Sequence, residues 1–140
     1  MFDQFRHKAR LRAWEPDKAM GRRAEDLAHR FLQGLGYTIV GRNFQSRTGT
    51  GEIDLIARDG DMLVFVEVKS RSSEQFGTPD RAVDEDKRSR IVRASWEYIR
   101  RSGEEPVAVR FDIVSVVFGS SPEIFHFPDA FGRRRSFKLH

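Results

Sequence analysis

Residues 51–70 read GEIDLIARDGDMLVFVEVKS. Two apolar runs, 52–57 and 62–70, flank Asp59-Gly60, a dipeptide that favours the tight turn of a β-hairpin. With that dipeptide at the turn, Ala57 faces Met62, Ile56 faces Leu63, Asp54 faces Phe65 and Glu52 faces Glu67. Opposed residues share a face of the sheet, and so do residues two apart along a strand. Glu52, Asp54, Phe65, Glu67 and Lys69 are therefore expected on one side, and Leu55, Val64, Val66 and Val68 on the other. Both sides carry apolar groups, the pattern of a sheet covered on both faces.

The covering elements lie to either side. Before the hairpin, Ala24, Leu27, Ala28, Phe31, Leu32 and Leu35 recur at helical spacing, predicting a helix from Asp17 that Gly34 and Gly36 stop. A strand follows over 37–44, then the loop QSRTGTG. After the hairpin, a polar connection over 71–79 leads to a second helix over 84–102. Ile91, Ala94, Tyr98 and Ile99 form its buried stripe, and Gly103 ends it. A long apolar strand over 107–118 completes an α-β-β-β-α-β order, and 123–127 reads as a short edge strand beyond it. The fold class expected is a single α/β domain with a mixed central sheet flanked by helices. The strands over 62–70 and 107–117 should be parallel, joined by a right-handed crossover.

The composition sets outer bounds. The 140 residues are 39% hydrophobic and 33% charged, a globular balance rather than a disordered or membrane-spanning one. The chain holds no cysteine, which excludes a disulfide scaffold, a thiolate metal site and a thiol nucleophile. With no apolar leader near the N-terminus, a cytoplasmic protein without a membrane partner is expected. The net charge of +4 is uneven. Residues 1–16 read as a basic arm, with Arg6, Lys8, Arg10 and Arg12. Residues 132–140 read as a basic tail, with Arg133, Arg134, Arg135 and Lys138. Residues 17–131 form the domain between them. Such ends suit a polyanion, nucleic acid above all, and equally suit solvated tails.

Asp54 and Glu67 come out as diagonal neighbours, roughly 7 Å apart at the backbone, which two carboxylates can close onto one ion. Crowded carboxylates beside a sheet core lose solvation and repel, so a cation is called for. Two or three carboxylate oxygens with water suit Mg²⁺ or Mn²⁺. Lys69 adds a positive charge beside that ion, an arrangement fit for phosphodiester hydrolysis. The plainer reading of Glu67-Val68-Lys69 is a solvated alternation or an ion pair. Glu52 reads equally as a further metal or base residue and as the partner of Arg47 or Arg71. Asp112 reads as a buried ion pair with an arginine. His29 and His126 have no metal-ligand spacing, and Trp96 and Tyr98 read as packing.

Asp54, then twelve residues, then Glu67-Val68-Lys69, inside this element order, resembles the restriction-endonuclease-like core of the PD-(D/E)XK nucleases. The segments GRRAEDLA, GEIDLIARDG, LVFVEVKSR, FGTP and RFDIVSV resemble the YraN family, which is largely uncharacterised and regarded as endonuclease-like by its fold. The same core is similar to archaeal Holliday-junction resolvases. The resemblance implies that Asp54 and Glu67 bind the metal, with the Val68 carbonyl as a further ligand, and that Lys69 is the catalytic lysine. It implies that Glu25 is the additional acidic residue of the site and that Lys87 is the basic residue of the second helix, contacting nucleic acid. Ile53 stands where the motif has proline. By its own sequence context, Glu25 has the alternative of pairing with Arg22 or His29 on an exposed face. Lys87, at the start of a helix, either snorkels to solvent or meets an anion. The expectation is a metal-dependent endonuclease acting on DNA, branched or single-stranded, working as a homodimer if it cuts as resolvases do. The alternative is a nucleic-acid-binding protein with the same fold and no turnover.

Overall fold

A computed structural model describes residues 2–49, 51–73 and 84–132, with side chains from Lys18 onward. The order is α1 (Phe2–Gly34), β1 (Thr38–Gln45), β2 (Glu52–Asp59), β3 (Met62–Ser72), α2 (Glu85–Ser102), β4 (Ala108–Phe118) and β5 (Glu123–Phe131). The five strands form one sheet in sequence order. β3 and β4 are parallel, and every other neighbouring pair is antiparallel. This is the single α/β domain expected, with a mixed sheet and the α-β-β-β-α-β order of a nuclease-like core.

The two helices cover the two faces of the sheet. On one face Ala24, Ala28 and Leu32 of α1 meet Leu55, Ala57, Val64, Val66, Val114 and Val116. On the other, Ile91, Ala94 and Ile99 of α2 meet Ile53, Ile56, Leu63, Phe65, Phe111 and Ile113. Small residues on α1 let that helix approach the β-branched surface closely. α1 closes in a paired C-terminal motif: the Tyr37 N–H donates to the Leu32 carbonyl and the Gly36 N–H to that of Gln33, with Gly36 at φ 97°. Asp84 caps α2 by accepting from the Lys87 N–H at 2.8 Å, and Gly103 ends it at φ 75°. Among the described residues no helix is long and apolar enough to cross a membrane.

Four expectations need correction. α1 begins at Phe2 rather than Asp17, so the stretch assigned to a basic arm lies within this helix; its side chains fall outside the described residues. Leu35, assigned to the apolar stripe, is exposed because the helix has already ended. β5 runs to Phe131 and includes an irregularity opposite Phe111–Ile113, with Asp129 at φ 56°. The hairpin is tighter by two residues: Asp59 pairs with Met62, and Gly60, at φ 63°, makes the turn. A shift of two preserves every face assignment, because side chains alternate with period two. The basic tail from Arg133 and the FGTP segment lie outside the described residues.

Candidate metal centre

The β2–β3 ladder stops at Leu55↔Val66. Continuing its register one step sets Asp54 across from Glu67, closer than the diagonal relation expected. Here the alternation along β2 also breaks, since Ile53 packs with Ile56 under α2 while Leu55 packs under α1. Asp54 takes over the ladder's role with its side chain: Oδ2 accepts from the Val68 N–H at 2.8 Å.

A cleft of about 340 Å³ opens at this point. Glu52, Asp54, Glu67, Val68 and Ser70 form its floor, Gly21, Ala24 and Glu25 come from α1, and Lys87, Arg90 and Ile91 from α2. The mouth depends on a close approach that only glycine permits. A Cβ on Gly51 would lie 2.5 Å from the Arg90 carbonyl oxygen.

Glu67 is 4% exposed, and the Lys87 ammonium contacts its Oε2. Burial, and then the Glu67 charge, push the Asp54 carboxyl up to about 8 from its ordinary 3.8. Glu25 adds to that push, while the Val68 N–H opposes it. Lys87 is shifted too. Burial works against its charge, but Glu67, Asp54 and Asp84 outweigh it and raise its pKa. The anion that a lysine at a helix start calls for is thus Glu67.

Of the residues singled out in the sequence, Glu25, Asp54, Glu67 and Lys87 line one cleft. Lys69 is not among the lining residues, although it follows Glu67 by two on β3. Glu25 pairs with neither Arg22 nor His29; Arg42 of β1 reaches it at 3.5 Å and Asp26 at 2.9 Å. Arg42 had no motif to mark it, since strand pairing brings it to α1 from sixteen residues away. Glu52 lines the cleft. Arg90, from the same helix as Lys87, had also gone unmarked.

Among the described residues no group of three or more His, Cys, Asp or Glu could hold a metal ion. The donors that do adjoin are two carboxylates, the number Mg²⁺ commonly takes from a protein while keeping several waters. Burial raises Asp54 most, and the Glu67 charge beside it adds to that. The donor set therefore fits a hard divalent cation.

The other buried acid behaves differently. Asp112, fully buried under α1, accepts from Arg110 Nε at 2.8 Å, Arg110 Nη2 at 2.9 Å and the Asp129 N–H at 2.9 Å. His126 Nε2 is a fourth partner at 2.8 Å. Burial raises its pKa, but His126, Arg110 and Asp129 outweigh that and leave it below the usual range. The ion pair with arginine was expected; His126, set aside as incidental, completes it.

Residues 24–116 match the uncharacterised protein family UPF0102. A UPF0102 protein of Solibacter usitatus is 51% identical over 120 residues, covering 86% of this chain and 91% of that protein. One from Rhodococcus jostii is 47% identical over 115 residues, 81% of this chain and 96% of its own. One from Geobacter metallireducens is 40% identical over 116 residues, with 82% and 93% covered. The matched span contains Glu25, Asp54, Glu67, Lys69 and Lys87.

Proposed function

This chain belongs to the UPF0102 family, the YraN family that its motifs resemble, and we propose that its cleft hydrolyses phosphodiester bonds in DNA with Mg²⁺ or Mn²⁺. The observation that carries this reading is the Asp54–Glu67 pair, two carboxylates brought together in a solvent-reaching cleft with one of them pushed up to about 8. Asp112, by contrast, is held by Arg110, His126 and the Asp129 N–H and is shifted down.

Asp54 and Glu67 would hold the cation, with Glu25 as the further acidic group of the same cleft. Once bound, the cation would polarise a water and offset charge on the phosphate. The chain's own residues do the positioning. The Val68 N–H fixes Asp54 Oδ2, and the Lys87 ion pair holds the buried Glu67. Lys87 places an ammonium at the carboxylate edge, where a phosphate oxygen would arrive. Lys69, the lysine of the resembled motif, does not line the cleft, so it would have to swing in from β3 to reach the same charge.

The test is incubation of nicked, branched and single-stranded DNA with Mn²⁺ and the full chain. Wild type should cleave at least one, and Asp54→Asn and Glu67→Gln should cleave none. Binding without cleavage on every substrate would favour the nucleic-acid-binding alternative. Cleavage that survives both substitutions would remove the cleft from the reaction.

A further inference from the structure

A second hollow, of about 460 Å³, lies between the β1–β2 loop and α2, lined by Ser46, Thr48, Arg93, Trp96, Glu97 and Arg100. The carboxylate cleft takes Lys87 and Arg90 from the same helix. Lys87, Arg90, Arg93 and Trp96 follow in steps of three, with Arg100 four further on; such a row is a ridge inclined to the helix axis, and it winds about half-way round the outer side of α2 between Lys87 and Trp96. From Lys87 to Arg100 this ridge covers about 20 Å of helix axis.

The chemistry of the ridge is uneven in an informative way. The hollow's carboxylate, Glu97, is engaged: Oε2 accepts from the Arg47 N–H at 2.8 Å and from Arg101 Nη1 at 3.2 Å, which anchors the loop to the helix. Arg90, Arg93 and Arg100 are exposed, and among the described residues none of them holds a carboxylate. Trp96 is partly buried against the core and also lines the hollow. Guanidinium groups flanking an indole match the alternation of phosphate and base along a nucleic-acid strand. In a duplex the base faces are covered by stacking, so Trp96 would meet none of them.

We infer that α2 carries a track for single-stranded DNA, with Trp96 stacking on a base and Arg93 and Arg100 holding phosphates. Its other end, at Lys87, delivers the strand to the carboxylate cleft; only this last clause rests on the nuclease reading. At the stacked spacing of about 3.4 Å per phosphate, the ridge spans roughly six nucleotides, and fewer if the strand is extended.

Fluorescence anisotropy with a labelled fifteen-nucleotide strand and its duplex, in EDTA so that nothing is cut, tests the track. Wild type should bind the single strand more tightly than the duplex. Arg93→Ala with Arg100→Ala should lower the salt slope by about 1.4, at 0.7 per phosphate contact on a single strand. Trp96→Leu, which keeps an apolar group on the core, should weaken single-strand binding by about fivefold or more. If that variant fails to fold, the exposed arginine pair still decides. Equal or tighter duplex binding, an unchanged salt slope, or tighter binding of the same sequence as RNA would each overturn the inference. The two readings fail separately. Wild type that binds through the track but never cleaves overturns the nuclease reading alone. Wild type that cleaves, and binds as before when the track is altered, overturns the track alone.

Discussion

Asp54 and Asp112 are both buried acids in this sheet, and their surroundings give them opposite thermodynamic signs. Asp112 receives donors from Arg110, His126 and the Asp129 backbone. Its lowered pKa contributes stability above the ordinary value of 3.8, lost as pH falls through the folded value. Asp54 is raised to about 8, so its contribution is complete below pH 3.8 and is lost as pH rises through about 8. Asp54→Asn should therefore stabilise the metal-free protein at pH 8, by about 0.5–2 kcal/mol, and flatten the decline in stability between pH 4 and 8. The asparagine oxygen can still accept the Val68 N–H. Asp112→Asn should cost about 3 kcal/mol or more, because it leaves Arg110 beside an unpaired site. Thermal unfolding in EDTA across pH reads both. A stabilised Asp112→Asn or a strongly destabilised Asp54→Asn would reverse the assignment. Sequence alone marked both acids as constrained, Asp54 through its spacing to Glu67 and Asp112 through its apolar strand. It could not show that His126 would reach Asp112, because that contact depends on how β5 pairs with β4.

At the scale of elements, the cleft depends on how close α2 comes to β2. The limit is set at Gly51, where a Cβ would meet the Arg90 carbonyl. Gly51→Ala should push backbone against backbone, costing about 1–3 kcal/mol and weakening Mn²⁺ binding as the cleft widens. A denaturant melt and a metal titration of the same variant check this; wild-type values in both would mean the approach is not tight. Asp84→Ala removes the α2 cap and should cost about 1 kcal/mol, with the loss read in the same melt. The hairpin illustrates what a pattern can and cannot say. Alternation placed Leu55, Phe65, Val64 and Val66 on their observed faces, because a shift of two leaves parity unchanged, but it fails at Ile53, which packs under α2 with Ile56. The register was off by two, because the pattern of apolar residues is unchanged by such a shift and only the turn geometry at Gly60 distinguishes the two. That error understated the site, since the tighter turn brings Asp54 across from Glu67. Lys87 was legible as a lysine extending a buried stripe, while Arg42 and Arg90 were not, since each is brought in by packing between elements.

For the whole molecule, charge and metal are the two external variables. The charge surplus lies in residues 1–50, which carry 10 Lys and Arg against 5 Asp and Glu. DNA binding should weaken steeply with salt, and removing residues 133–140 should reduce the slope if that tail contacts phosphates. A salt-independent affinity would exclude an electrostatic interface. The central claim is narrower: Asp54 and Glu67 together hold a divalent cation. A calorimetric titration of Mn²⁺ into wild type and Asp54→Asn tests it most directly. Wild type should bind with a stoichiometry near one, and the variant should bind at least tenfold more weakly. Equal affinity in the two proteins would contradict the account.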